Sequence, residues 1–401
     1  MSTAGRVRTA EPGGPHGAQS TEGTRPTALV AIGTRPEAIK LAPVVTALAE
    51  RGQVDPLVVT TGQHGAVVDD VLELFGIAAR LELRIARRPD GDLAGLYADL
   101  LSAMDRALVD LRPQAMVVQG DTATVLCGAQ AAFLRNVPVA HVEAGLRSGS
   151  LAAPFPEEGN RRMVAAIASL HLAPTRAAEA QLLAEGHRAA DVVVTGNTVV
   201  DALRYASRRP APMDDERLER ALAGPSRMVV VTAHRRESWG AGMARIADAV
   251  RRLALTFPET VFVCATHMNR AVRASFEVAL AGLGNVILAA PLSYGQFARL
   301  LARASLVLTD SGGVQEEAPA LGVPALVMRD RTERVEGLDA GAAVLVGTDG
   351  DRIVAEGEAA LRRDRRSAAL PDLYGDGQAG RRSAEAIERM VAAAGRSVSR
   401  S

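Results

Sequence analysis

The chain alternates, almost without a break, between short apolar runs and segments with helical spacing. Runs such as ALVAIG (28–33), PLVVTTG, AMVVQGD (115–121) and VPVAHVEAG (137–145) are apolar throughout rather than at every second residue. A strand with one wet face alternates, whereas a parallel strand covered on both faces does not. Between the runs lie segments such as EAIKLAPVVTALAER, with apolar residues at helical intervals. The pattern dictates an α/β fold in which a parallel sheet is doubly wound by helices. It restarts with RMVVVTAH (227–234), TVFVCATH (260–267), NVILAA (285–290), LVLTDSGG (306–313) and PALVMRD (324–330). The two halves are of similar size, and no register makes one a copy of the other.

At 401 residues the chain is long enough for two or three cores. The expected division is an extension over 1–26, a first Rossmann-like domain over 27–200, a second over 201–375, and a closing helix and tail over 376–401. The extension is rich in Gly, Ser, Thr and Pro and reads as disordered. RRPAP has the clearest linker composition between the halves, although the crossover can begin as early as Gly196. The last helix, RRSAEAIERMVAAAG, has an apolar face that can return to the first half.

Composition removes several classes of function. The formal net charge is zero and the arginines are dispersed, against non-specific binding of nucleic acid. No apolar run spans a bilayer, and the N-terminus lacks the apolar core of a signal peptide, so a soluble cytoplasmic protein without membrane contact is expected. Cys127 and Cys264 lie far apart in apolar runs and read as buried free thiols. No His, Cys and Asp spacing points to a metal, and no GxxxxGK[ST] or GxGxxG occurs.

Ligands of doubly wound sheets bind at the carboxyl ends of the strands. Here those ends carry Thr34-Arg35-Pro36-Glu37, Asp121-Thr122, His141 and Glu143, His234, His267, and Asp310-Ser311-Gly312-Gly313 followed by Gln315, Glu316 and Glu317. Polar and ionisable groups at one end of both halves point to a cleft between two domains. Each has a plainer reading. Asp121 alone reads as a helix cap, Glu143 as a solvated loop residue, Glu157 and Glu158 as the acidic first turn of a helix, and His234 as a structural histidine. Ser311-Gly312-Gly313 opens a helix after a strand, where two glycines let backbone N–H groups approach a phosphate, and Glu317 lies one turn in, within reach of ribose hydroxyls. Lys40 is the chain's single lysine among 46 basic side chains. It is expected in the first turn of a helix opening at Glu37, leaning back toward the strand tip.

Taken together, GTRPEAIKLAPV, GDTAT, HVEAGLRS, PFPEEGNRR, TGNTVVDAL, VTAHRRES, TDSGGVQEEAPALGVPALVMRD, TERVEG, LVGTD and YGDGQA follow one another in order. The chain thereby resembles the non-hydrolysing UDP-N-acetylglucosamine 2-epimerases, from about residue 27 to the closing helix. The resemblance implies the glycosyltransferase-B architecture of two facing Rossmann-like domains, and a homodimer. It implies inversion at C2 of UDP-GlcNAc to UDP-ManNAc, by anti-elimination of UDP to 2-acetamidoglucal and re-addition, with neither cofactor nor metal. Asp121, Glu143, Glu157 and His234 fall on the catalytic positions. Arg35, Lys40 and Arg334 fall on cationic site positions, Ser311, Gly312, Gly313 and Glu317 on phosphate and ribose contacts, and Phe297 on a position near the uracil.

Some residues depart from the family. Val335 stands where proline is usual, and Leu292 where many members carry a polar residue. Gln63-His64-Gly65-Ala66 lacks two polar groups of a QHRxQ-like stretch that serves an allosteric substrate site in bacterial members, while His267 and Arg235 match other parts of it. Weak or absent activation by substrate is the expectation. Three other readings share the pattern: a hydrolysing relative releasing UDP and ManNAc, a glycosyltransferase of the same architecture, and a catalytically dead nucleotide-sugar sensor. The acid cluster argues against the last two.

Overall fold

The computed structural model of the chain describes residues 25–63, 65–86, 91–235, 238–265, 270–332, 334–363 and 373–398. The extension before Arg25, and His64, Arg236, Glu237 and His267, lie outside the described residues.

Seven parallel strands form the first sheet: β1 (Thr27–Ile32), β2 (Asp55–Thr60), β3 (Leu81–Glu82), β4 (Ala115–Gln119), β5 (Val139–Val142), β6 (Leu170–Ala173) and β7 (Val192–Val194). Their helices are α1 (Arg35–Arg51), α2 (Gly65–Leu74), α3 (Leu93–Leu111), α4 (Ala123–Leu134), α5 (Glu157–Ile167) and α6 (Arg176–Ala184). The chain then passes through α7 (Thr198–Ala206) and α8 (Glu216–Ala223). A second parallel sheet holds β8 (Met228–Thr232), β9 (Val261–Ala265), β10 (Val286–Ala289), β11 (Leu306–Thr309), β12 (Ala325–Val327) and β13 (Ala343–Leu345). It is wound by α9 (Ala241–Thr256), α10 (Arg270–Ala279), α11 (Tyr294–Arg303), α12 (Gly312–Ala320), α13 (Val335–Asp339) and α14 (Gly350–Arg362), before the closing α15 (Ala379–Val398).

The strand orders are β3-β2-β1-β4-β5-β6-β7 and β10-β9-β8-β11-β12-β13. Both reverse direction beside their first strand, which leaves a crevice at the carboxyl ends of β1 and β4 and another at those of β8 and β11. The central strands are buried on both faces, with Ala28 through Ile32 and Met228 through Val230 all at zero exposure. Each buried Val, Leu or Ile contributes roughly 1.5–3 kcal/mol to this arrangement.

One apolar cluster runs through both halves, from Leu41 and Val45 of α1, through Leu203 of α7, to Leu301 of α11 and Ala318 of α12. α7 packs on α1, α11, α12 and α15, and so forms the seam. The closing helix returns to the first domain. A Cβ at Gly380 would stand 2.7 Å from the Pro43 carbonyl oxygen, so only glycine lets α15 approach α1 this closely. Arg51 at the end of α1 then pairs with Glu385 and Glu388 of α15. Val192–Val194 is the last strand of the first sheet, so the crossover between the halves begins after it.

Candidate active site

The two crevices face each other. Gly33 and Thr34 leave β1 where Gly120 and Asp121 leave β4, and His234 leaves β8 where Asp310 leaves β11. A Cβ on Gly33 would lie 2.1 Å from the Thr124 hydroxyl, so glycine is required where these two loops touch.

Thr34 is the N-cap residue of α1, and Glu37, three residues on, reaches back to accept from the Thr34 backbone N–H. α1 therefore opens at Arg35, and Lys40 falls in its second turn rather than its first. Glu37 is buried; its Oε2 accepts from the backbone N–H groups of Gly33 (2.6 Å) and Thr34 (3.1 Å), and its Oε1 from the Thr122 hydroxyl (2.5 Å). Burial nevertheless pushes its carboxyl up to about 7, against those hydrogen bonds. This residue ties the start of α1 to the cap of α4, beside Asp121.

Lys40 reaches into the crevice. Its ammonium lies 2.5 Å from Glu143 Oε2, which also accepts from Gln119 Nε2 at 2.6 Å. It lies 3.7 Å from Glu316 Oε2, a residue of the second domain. Glu316 in turn binds Arg334 Nε at 3.1 Å and accepts from Asn197 Nδ2 at 3.2 Å. Two cations and two carboxylates thus form a buried, balanced network across the seam. Burial lifts the Glu143 carboxyl above its ordinary range, and the neighbouring Glu316 adds to this against the pull of Lys40. Burial also raises Glu316, but Lys40 and Arg334 outweigh it and leave that carboxyl below its ordinary range. Glu143 adopts φ 62°, a left-handed conformation that costs a non-glycine residue about 1–3 kcal/mol.

Asp121 is held by α5. Arg161 Nη2 lies 2.5 Å from Asp121 Oδ2, and Asn160 Nδ2 donates to the Asp121 carbonyl at 2.7 Å. Tyr97 steadies Asn160 at 2.8 Å. Glu157 stands one turn before Arg161 on the same helix, and its Oε2 is buried with no hydrogen-bond partner. Glu158 points elsewhere, binding Ser148 N, Arg161 and Arg162, and is structural.

In the second domain, His234 Nδ1 lies 3.0 Å from Asp310 Oδ1. Ser311 caps α12, whose first residues are Gly312 and Gly313. The Arg334 guanidinium crosses Gly312, where a Cβ would stand 3.2 Å from Arg334 Cζ, while a Cβ on Gly313 would meet nothing within 4 Å. Burial pushes Glu317 up to about 7, and the nearby Glu316 adds to this; Arg35 and Tyr294 act in the other direction. Arg35, from the first domain, therefore sits close enough to Glu317 to influence it. Phe297 lies in the first turns of α11, half-buried against the shared core.

The structure brings Lys40, Glu143 and Arg334 into one network, and places Asp121 and Glu157 against the same face of α5. It also adds Gln119, Arg161 and Asn197, which sequence reasoning had not singled out for the site, and gives partners to Glu37, Asp310 and Glu316, which it had placed at the strand ends without a role. A cavity of about 50 Å³ between Arg161, Asn197, Glu316 and Arg334 opens at the seam. A larger groove, about 880 Å³, lies at the opposite end of the first sheet around Val54, Pro113 and Val137 and carries none of these residues. Among the described residues, no cluster of His, Cys, Asp or Glu is placed to hold a metal, and no helix is long and apolar enough to cross a membrane.

Comparison with known proteins agrees with this geometry. A family described as UDP-N-acetylglucosamine 2-epimerase matches residues 46–388. The UDP-N-acetylglucosamine 2-epimerase of Escherichia coli K12 is 42% identical over 368 residues, covering 90% of this chain and 98% of that protein. A crystal structure of a Listeria monocytogenes protein described as a UDP-N-acetylglucosamine 2-epimerase superposes with a TM-score of 0.84 at 37% identity, over 92% of this chain and 97% of the other. The Neisseria meningitidis UDP-GlcNAc 2-epimerase bound to UDP-GlcNAc superposes with a TM-score of 0.80 at 37% identity, over 90% and 100%. The chain belongs to the UDP-N-acetylglucosamine 2-epimerase family.

Proposed function

We propose that the chain interconverts UDP-GlcNAc and UDP-ManNAc without hydrolysis, by anti-elimination of UDP to 2-acetamidoglucal and re-addition of UDP. The observation that carries this reading is the pairing of Asp121 and Glu157 against one helix, the first held by Arg161 and Asn160, the second with a buried carboxylate oxygen that accepts nothing.

The C2 proton is not acidic, so a positioned base must take it as the anomeric C–O bond breaks, and a second group must return a proton from the other face. Asp121 and Glu157 share that work. Glu143, its carboxyl raised by burial against the pull of Lys40, orients the sugar or assists. UDP has to stay bound and aimed between the two half-reactions. Gly312, Gly313 and Ser311 at the start of α12, with His234, Arg35 and Arg334, suit its diphosphate. Glu317 suits the ribose and Phe297 the uracil.

Incubation with UDP-GlcNAc in D₂O, followed by ¹H and ³¹P NMR, tests the proposal. UDP-ManNAc carrying deuterium at C2 is the expected product. Stoichiometric UDP with free ManNAc would establish the hydrolysing reaction instead, and an unchanged mixture would remove the epimerase reading.

A further inference from the structure

The loop after β8 is wound around one buried carboxylate. Asp310 is fully buried, and its Oδ2 accepts from the backbone N–H groups of His234 (2.7 Å) and Arg235 (2.8 Å). Its Oδ1, buried and with no aligned hydrogen-bond donor, lies 3.0 Å from His234 Nδ1. The strands behind keep it there. Thr232 and Thr309 are register partners whose hydroxyls bond at 2.6 Å, and Asp310 N donates to the Thr232 carbonyl at 3.2 Å. Arg235 Nε closes the loop on the Asp310 carbonyl at 3.1 Å. The carboxylate therefore has one oxygen committed to backbone donors and the other turned to the imidazole.

We propose that Asp310 is a positioning residue for His234, fixing the ring orientation and keeping a proton on Nδ1, so that a cationic ring presents its Nε2 side to the leaving diphosphate. The inference rests on the epimerase reading for what the ring faces, but not for the geometry. As the C1–O bond breaks, its electron pair passes to a β-phosphate oxygen, and negative charge grows there. A carboxylate tolerates Nδ1 only as a donor, which permits the doubly protonated ring. That charge is worth more to the transition state than to bound substrate, because the phosphate gains charge as the bond breaks.

Asp310→Asn separates this role from a structural one. The amide oxygen will turn to the two backbone donors, since the amide N–H₂ cannot accept from them. The N–H₂ group then faces Nδ1 and obliges it to accept, which holds the ring neutral with its proton on Nε2. The shape of the loop is kept while the tautomer is reversed.

The test combines ¹⁵N-histidine NMR with steady-state kinetics on wild type and Asp310→Asn, with a His234→Gln sample to assign the resonance. The expected result is a folded variant whose His234 Nδ1 moves to the position of an unprotonated nitrogen. Its kcat should fall on the order of 100-fold while KM changes less than about threefold. An unchanged Nδ1 signature, or a kcat within about threefold of wild type, overturns the proposal. If wild type itself leaves UDP-GlcNAc untouched, the epimerase reading fails; the NMR result still decides whether Asp310 sets the tautomer.

Discussion

The Lys40 ammonium, carried by the first domain, lies 3.7 Å from the Glu316 carboxylate of the second while holding Glu143 at 2.5 Å. The chain's one lysine thus stands where a single compact charge meets two carboxylates from two domains. A guanidinium is broader and planar, with its donors in a fixed fork, and does not match the place of one compact ammonium packed 2.5 Å from Glu143.

Lys40→Arg is therefore expected to keep the fold and lose at least about 100-fold in kcat, because site groups displaced by about 1 Å cost that much. Lys40→Met leaves the buried Glu143 without its cation, while Glu316 keeps Arg334, and should cost about 3–5 kcal/mol of stability. Steady-state rates and urea unfolding measure the two effects. Wild-type turnover in Lys40→Arg would reduce the lysine to an accidental survivor of a chain otherwise built with arginine.

Arg161 holds Asp121 from the same helix face as Glu157. Arg161→Gln should lower kcat on the order of 100-fold with little change in melting temperature, because Glu158 retains Arg162 and Ser148 N and the start of α5 stays anchored. Glu157→Gln removes an acid–base group outright and should lower kcat by roughly 10²–10⁴. Deuterium incorporation at C2 in D₂O reads both, and undiminished exchange in Glu157→Gln would remove that residue from the acid–base pair.

Much of this arrangement was legible in the sequence, for a physical reason. Long apolar strands with no alternation admit few architectures, so both parallel sheets and their winding could be read from ALVAIG, AMVVQGD and LVLTDSGG. The strands that were not picked out, β3, β6, β7 and β13, lie toward the sheet edges and have two to four residues each, and β12, with three, was legible only through the longer apolar run PALVMRD around it. The site divided in the same way. Gly312-Gly313 and Asp121 are marked by local context, because a strand end or a helix start is written in neighbouring residues. Asn197 and Glu316 are 119 positions apart, and Arg161 and Asp121 belong to different elements, so nothing local announces either contact. Glu316 and Glu317 are adjacent in sequence, yet one joins Lys40 and Arg334 while the other faces Tyr294 and Arg35. Only the orientation of α12 separates them.

The loop that carries Glu143 depends on Gly145. Its φ is 93°, and a Cβ there would stand 2.3 Å from the Ala178 carbonyl oxygen, a backbone atom that cannot swing away. Gly145→Ala should cost about 3 kcal/mol or more and lower activity with it. Gly149→Ala is the control, since φ there is 79° but the Cβ would meet nothing within 4 Å. It should cost only the backbone term, about 1–2 kcal/mol. Thermal unfolding of the pair separates steric clash from backbone strain; equal losses would show that the clash with Ala178 relaxes freely.

Glu37 links protonation to stability with a definite sign. Burial holds its carboxyl at about 7 in the folded chain, above the ordinary 4.5. Between those values the folded state binds a proton that the unfolded state has released, so this contribution is full below pH 4.5 and is lost as pH rises through 7. Two buried histidines act in the opposite direction. Burial lowers His141 and His171 to about 4 from 6.5, so the stability they contribute is present above pH 6.5 and is lost as pH falls. The wild-type curve therefore mixes opposing slopes and identifies neither. Glu37→Gln isolates one of them, because the amide can accept from Gly33 N and Thr34 N and donate to the Thr122 hydroxyl without titrating. Relative to wild type, the variant should gain stability by about 1.4 kcal/mol per pH unit as pH rises from 4.5 to 7, and the difference should level off above 7. Urea unfolding across that range measures it. A difference that does not change with pH would mean that Glu37 is ionised in the folded chain throughout, and that the three donors around it outweigh its burial.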